Sequence, residues 1–115
     1  MRLRSSPWFV ALQDDDAAGL ICAIHEPGAA EDDRHLVSMW VRPESRRTAV
    51  GTALVAAVRE WARQDGARTL SLWLLDGNDA GAALYRGCGF APTGESTPLP
   101  RDPSLTEHRW ELALD

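Results

Sequence analysis

The middle of the sequence changes its hydrophobic period twice, and this restricts the folds that the chain can adopt. His35–Val41 is an apolar run typical of a strand, and Pro43 stops it. Val50–Gln64 then carries apolar residues at three- and four-residue steps, which indicates an amphipathic helix that ends before Gly66. Thr69–Leu75 returns to a strand pattern. These segments predict a βαβ unit with two parallel strands, the second of them central.

The residues before this unit predict an antiparallel hairpin. Trp8–Leu12 and Leu20–Ile24 are short apolar runs separated by the acidic turn Asp14–Asp16. Glu26–Asp33 is polar and contains proline and glycine, so we expect a loop there.

The residues after the unit predict a short helix and a closing strand. Asn78–Tyr85 is rich in alanine and starts with a residue that commonly caps helices, so we expect a helix that ends near Gly87. Glu95–Thr106 is rich in proline and polar residues and predicts a loop, and Arg109–Leu114 predicts the last strand. The expected fold is of the α/β class with a mixed (α+β) sheet, in a single domain over residues 1–115.

Composition excludes several function classes. The net charge of −5 argues against a nucleic-acid partner bound through a broad basic field, and all twelve basic residues are arginine. No apolar run approaches the roughly 18–20 residues that cross a bilayer, and no signal peptide is evident, so we expect a cytoplasmic protein with no membrane partner. Two cysteines, Cys22 and Cys88, do not make a disulfide framework.

The loop between the third strand and the long helix, Arg42–Thr52, is a candidate anion site. A loop that enters a helix presents free backbone N–H groups and the positive end of the helix dipole, which suit a phosphate. Arg46 and Arg47 add positive charge, and Gly51 allows close approach of a ligand. An ordinary exposed turn between a strand and a helix remains the alternative.

Two motifs in this region and beyond resemble those of the GNAT superfamily of N-acetyltransferases. The family has Val-x-Pro and then Arg/Gln-x-x-Gly-x-Gly/Ala at the first joint, followed later by Asn-x-x-Ala, an apolar residue with Tyr, and Gly-Phe. The chain matches these at Val41–Pro43, Arg46–Gly51, Asn78–Gly81, Leu84-Tyr85 and Gly89-Phe90. Ala49 replaces the first glycine and Gly81 the usual alanine. If the first position needs a left-handed backbone, alanine would cost about 1–2 kcal/mol there.

The resemblance covers nearly the whole chain, from Trp8 to Leu114, and implies a GNAT-like fold and acetyl-CoA as the acyl donor. Tyr85 occupies the family's general-acid position. Asn78 either contacts the cofactor or caps its helix. The strand end pairs with the pantetheine arm, and the loop amides bind the pyrophosphate. The implied cofactor-binding residues are Met39, Trp40, Val41, Arg46, Arg47, Thr48, Ala49, Val50, Gly51, Thr52 and Asn78.

The general base of the implied reaction is not identified by the sequence. Glu26, His35 and Ser38 acting through a water are open, as are an ordered water alone and an amine that is already neutral. No metal is expected, because Cys22 and His25 are three residues apart on a predicted strand and point to opposite faces.

GNAT domains usually begin with a strand and two helices, whereas seven residues precede the first strand here. We therefore expect an N-terminally reduced domain with exposed apolar surface around Trp8, completed by a longer start, by a partner such as a second copy, or not at all.

Two functions follow from the resemblance: N-acetylation of a small-molecule or protein amine, or a coenzyme A-binding module with little activity. The acidic stretches Asp14–Asp16 and Glu31–Asp33 either steer a cationic amine or are solvated loops, and Arg101–Glu107 is a candidate border of the acceptor pocket.

Overall fold

The computed structural model describes residues 7–26, 28–46 and 49–114. Within them the chain forms a six-stranded sheet and two α-helices, with a 3-10 turn at Pro43–Ser45. Neither described helix has the length and apolar character needed to cross a membrane. In chain order the elements are β1 (Trp8–Gln13), β2 (Asp16–Ile24), β3 (Asp33–Val41), α1 (Val50–Gln64), β4 (Thr69–Leu75), α2 (Asp79–Gly87), β5 (Ala91–Leu99) and β6 (Asp102–Ala113).

The sheet confirms the predicted mixed architecture. Its strand order is β1-β2-β3-β4-β6-β5, so β4 lies inside the sheet between β3 and β6. β3 and β4 run parallel with α1 as the crossover, and the other neighbouring strands are antiparallel. The βαβ unit and the central position of its second strand are both confirmed.

The predicted hairpin of β1 and β2 is also confirmed, with longer strands than expected. Gln13 pairs with Asp16, so the turn consists of Asp14 and Asp15. These two residues have φ angles of 52° and 69°. Two consecutive positive φ values match the type I′ turn, whose twist fits that of the flanking strands, and aspartate tolerates the left-handed region better than most residues do.

The prediction of a loop over Glu95–Thr106 is wrong. β5 and β6 form a long antiparallel hairpin through this segment, with register shifts after Pro92 and after Pro98. β5 is an edge strand, where a proline need not donate to a second neighbour, and most of its residues are exposed. The proline-rich, polar composition therefore reflects an exposed edge rather than a loop.

The two faces of the sheet differ in what covers them. On one face, here called the helix face, the core residues Ile21, Leu36, Leu70, Leu72 and Leu112 alternate along their strands and pack with the buried stripe of α1. The opposite face, here called the open face, carries the intervening residues. It includes Trp8, Val10 and Leu12 of β1, which are 58%, 54% and 65% exposed.

Candidate functional site

A gap opens between the two parallel strands. β3 and β4 pair only from Asp33–Thr69 to Leu36–Leu72, and no pairing joins the described residues of the two strands beyond that point. The separation begins at a β-bulge, because Ala23 pairs with Leu36 while its neighbour Cys22 pairs with Ser38. Val37 is the extra residue, and a bulge bends the strand that carries it.

The edge of β3 along this gap has room for another extended chain. Met39, Trp40 and Val41 pair with β2 on one side, and their other side faces the gap. Trp40 is 41% exposed on the open face, whereas Met39 packs against the core. Strand edges offer unpaired backbone donors and acceptors to an added chain, so the geometry suits the extended arm that the sequence motif implies.

The N-terminus of α1 lies at the same end of β3. Ala49 is the N-cap residue with φ −76° and ψ 0°, and no side chain among residues 7–26, 28–46 and 49–114 forms a capping hydrogen bond to the helix. The first turn of α1 has no acidic residue, so the positive end of the helix dipole is not neutralised locally. Because Ala49 has an ordinary right-handed backbone, the strain considered for an alanine at this position does not arise.

Gly51 brings three elements of the site together. A Cβ atom placed on Gly51 would lie 3.2 Å from a methyl group of Leu84 and 3.4 Å from Cε of Met39. The glycine therefore allows β3, the first turn of α1 and the middle of α2 to converge. The structure shows this packing role, whereas the approach of a ligand to Gly51 stays a prediction.

The arginines of the loop are only partly described. Arg42 forms an ion pair with Glu44 at 3.2 Å and donates a hydrogen bond to Gln13, so much of its charge is balanced. Arg46 is exposed, and its Nε donates to the Val41 carbonyl at 3.3 Å. Arg47 and Thr48 lie outside the described residues.

Tyr85 is a buried residue of α2, next to the Leu84 side chain that meets Gly51. Its ring contacts Phe90 edge to face, with 5.6 Å between ring centroids. Burial, with a smaller contribution from the nearby Cys88 thiol, raises the pKa of Tyr85 to about 12. The phenol therefore keeps its proton throughout the physiological pH range.

Asn78 caps α2, as one of its two predicted roles required. Its side-chain oxygen accepts a hydrogen bond from the Gly81 amide at 2.9 Å. A Cβ atom on Gly81 would lie 2.8 Å from Nδ2 of Asn78 and 2.9 Å from a methyl group of Leu74. This close packing accounts for glycine in place of alanine at this position of the motif.

A chain of hydrogen bonds on the open face, here called the buried polar chain, links Asp33, Ser71 and His35. Reasoning from the sequence did not group these three residues. The Ser71 hydroxyl donates to Oδ2 of Asp33 at 3.0 Å, and Nδ1 of His35 lies 2.9 Å from the Ser71 oxygen. All three residues are buried. A hydroxyl has one proton to donate, so Ser71 accepts its second hydrogen bond from Nδ1–H of His35. This tautomer leaves a lone pair on Nε2.

The environment of His35 keeps the imidazole neutral. Burial lowers the pKa of His35, and the carboxylates of Glu26 and Asp33 offset part of this effect. Of the three candidate bases, His35 is thus the one held in a chain of hydrogen bonds. Glu26 is half-buried beside it and Ser38 is exposed. Two sequence signals for this chain of hydrogen bonds were available: a serine inside the apolar run of β4, and charged residues in β6. Their side chains lie on the same face of the sheet as that of His35.

The acidic stretches predicted from the sequence behave differently from one another. Asp14 and Asp15 form an exposed turn, whereas Asp33 begins β3 and is 6% exposed. Within residues 7–26, 28–46 and 49–114, no three histidine, cysteine, aspartate or glutamate side chains are grouped as the ligands of a metal ion would be.

Comparison with known proteins gives consistent results. Residues 1–90 match the model of the acetyltransferase (GNAT) family. The human protein N-acetyltransferase 8 is 30% identical over 95 residues, which cover 81% of this chain and 42% of that protein. The chain thus spans less than half the length of the curated relatives it matches.

Solved structures share the fold of this chain. A nourseothricin acetyltransferase superposes with a TM-score of 0.86 at 27% identity over 96% of this chain and 66% of that one. A Bacillus anthracis protein named after streptothricin acetyltransferases, solved with acetyl coenzyme A, superposes with a TM-score of 0.86 at 20% identity, over 100% of this chain and 66% of that one.

Proposed function

The chain belongs to the GNAT acetyltransferase family, and we propose that it transfers an acetyl group from acetyl-CoA to a primary amine of a small molecule or a protein. The observation that carries the proposal is the gap between β3 and β4, where no described strand pairs with one edge of β3 next to the N-terminus of α1. An extended arm and a pyrophosphate need these two features side by side.

The residues of the site fit acetyl-CoA. Met39, Trp40 and Val41 present backbone groups to an extended arm, and the first turn of α1 presents its positive dipole to phosphates. Arg46 is exposed beside this turn and adds charge. When bound, acetyl-CoA supplies the acyl thioester. Arg47, Thr48, Ala49, Val50, Gly51 and Thr52 complete the proposed pyrophosphate loop.

Tyr85 is proposed to hold its proton and to donate a hydrogen bond to the leaving sulfur. A thiol titrates near 8.5, so full transfer of a proton from a phenol of pKa about 12 to a thiolate would be uphill by about 5 kcal/mol. A hydrogen bond stabilises developing negative charge without that cost, and it is strongest where water is excluded. Burial of Tyr85 serves this role.

His35 is proposed to accept the proton of the attacking amine at Nε2, directly or through one water. The Nδ1–H bond to Ser71 fixes the ring, and the lowered pKa keeps Nε2 unprotonated at neutral pH. His35 lies on the open face two residues before the bulge at which the gap begins.

The test is calorimetric titration of the purified chain with acetyl-CoA, followed by a screen of primary amines for release of free thiol. We expect micromolar binding that Arg46→Glu weakens about tenfold, while Arg63→Glu, the same charge change in the last turn of α1, leaves binding unchanged. Absence of binding at millimolar acetyl-CoA would contradict the proposal. Binding without turnover of any amine would favour the coenzyme A-binding module instead.

A further inference from the structure

A cleft of about 380 Å³ lies on the open face, beside the buried polar chain. The loop after β2 forms one wall, and the starts of β3 and β4 with the end of β6 form the other. Its charged lining consists of the carboxylates of Glu26, Asp32, Asp33 and Glu111 and the guanidinium of Arg109. Four negative groups face one positive group, so the cleft has a formal charge of −3 and attracts cations.

Asp33 is the deepest of these carboxylates and is incompletely satisfied. It is 6% exposed, and its Oδ2 accepts from Ser71 at 3.0 Å and lies 3.6 Å from the Arg109 guanidinium. Its Oδ1 is buried and has no hydrogen-bond partner among the described residues. A buried carboxylate oxygen without a donor is costly, which indicates that a donor belongs there.

Arg109 does not satisfy this need, because its charge is shared. Its guanidinium lies 3.6 Å from Asp33, 3.6 Å from Glu111 and 3.9 Å from Glu95. One guanidinium among three carboxylates leaves excess negative charge on the open face. An ammonium group would supply both the missing positive charge and the missing N–H donors.

We propose that this cleft binds an ammonium group of the acceptor, and that the acceptor is a dicationic amine whose second amine reacts. This proposal rests on the proposed function and names the substrate class of that site. Asp33 and the bulge at Val37 are four residues apart on β3, which corresponds to about 13 Å of extended strand. An α,ω-diamine of similar length reaches from the cleft to the gap, passing His35.

The experiment uses the whole chain as the enzyme and compares 1,8-diaminooctane with 8-amino-1-octanol as substrates that accept the acetyl group. The two probes have the same length, and the second replaces one ammonium group by a neutral hydroxyl. We expect kcat/KM to be about tenfold higher for the diamine, the effect of one charge-assisted hydrogen bond. Asp33→Asn and Glu111→Gln should reduce this ratio towards one. Because Asp33 also accepts from Ser71 in the chain that holds His35, the readout is the ratio between the two probes and not the rate with either one.

A control variant and a binding measurement are added to this experiment. Asp15→Asn removes the same charge from an exposed turn whose φ of 69° asparagine tolerates, so it should leave the ratio unchanged. Calorimetric binding of the diamine is measured without cofactor, and this readout needs no turnover. Glu111→Gln, whose side chain is 40% exposed, serves if Asp33→Asn does not fold.

The outcomes separate the two proposals. Equal kcat/KM for both probes, or diamine binding that neither variant weakens, overturns the dicationic acceptor and leaves acetyl transfer intact. Failure of acetyl-CoA to bind overturns the proposed function, and diamine binding that Glu111→Gln weakens then still supports a cation site in the cleft.

Discussion

The helix face and the open face are made of alternate residues of the same strands, yet they differ in almost every physical respect. The helix face is buried and apolar apart from Arg34, which pairs with Leu70 and bonds to Asp65 at the end of α1, and Ile21 and Leu70 are fully covered by their neighbours. The open face combines exposed aromatic and aliphatic side chains with a buried chain of polar ones, Asp33, Ser71 and His35. One face therefore holds the fold together, and the other carries most of the candidate chemistry.

The strongest test of this division uses one substitution on each face. Leu70→Ala on the helix face should lower the free energy of unfolding by about 2–5 kcal/mol, because Leu70 is fully buried and its removal leaves a cavity. Leu12→Ala, the same change at a residue that is 65% exposed, should alter it by less than about 0.5 kcal/mol. Urea denaturation measures both, and a comparable loss for Leu12→Ala would break the division.

Tyr85 is the exception to the division, since it is packed in the core with the helices and is assigned a chemical role. Tyr85→Phe should lower kcat about 100-fold with little change in KM for acetyl-CoA, because the hydroxyl acts on the leaving group. No hydrogen bond joins this hydroxyl to another described residue, so stability should be nearly unchanged. Steady-state kinetics with a melting curve test this, and full activity of the variant would return Tyr85 to a packing role.

The buried polar chain makes the stability of the fold sensitive to substitution at one position of the open face, Ser71. Ser71→Ala should lower the free energy of unfolding by about 1–3 kcal/mol, because it leaves Oδ2 of Asp33 and Nδ1–H of His35 without their hydroxyl partner. Ser96→Ala on the exposed edge strand serves as the matched control and should have almost no effect. Equal stability of the two variants would mean that the chain of hydrogen bonds does not stabilise the fold.

The smallest expected effect is a dependence of stability on pH. The pKa of His35 is lowered in the folded state, so the unfolded chain binds more protons as the pH falls below about 6.5. The stabilisation from neutral His35 is complete above that pH and is lost as the pH falls through the folded-state pKa. His35→Gln should flatten this slope in a series of urea titrations, by no more than the roughly 1.4 kcal/mol per pH unit that one proton can contribute. An unchanged slope would mean that His35 titrates alike in both states.

The sequence predicts those parts of the molecule whose signal is local. The change of hydrophobic period around Val50–Gln64 is sufficient to predict the βαβ unit. The acidic residues Asp14 and Asp15 are sufficient to predict the hairpin turn. The β5–β6 hairpin escapes prediction because an exposed edge strand tolerates the prolines and polar residues that elsewhere mark a loop.

The candidate site likewise has parts that the sequence predicts and parts that it does not. The proposed pyrophosphate loop and Tyr85 lie in contiguous motifs, so their positions can be predicted from the sequence. The partners Asp33 and Ser71 are 38 residues apart, and only the parallel pairing of β3 and β4 brings them together. The bulge at Val37 and the right-handed backbone of Ala49 depend on tertiary packing, which no local pattern specifies.

The separation of β3 from β4 beyond Leu36 and Leu72 gives the sheet two internal edges. No strand of the described part of the chain shields the backbone amides that point into this slot, so they should exchange rapidly with deuterium in the free chain. Amides of β4 that face β6 should exchange slowly, since that pairing runs along the whole strand. Slowed exchange between Ser38 and Val41 on addition of acetyl-CoA would locate the inserted arm without any enzymatic readout.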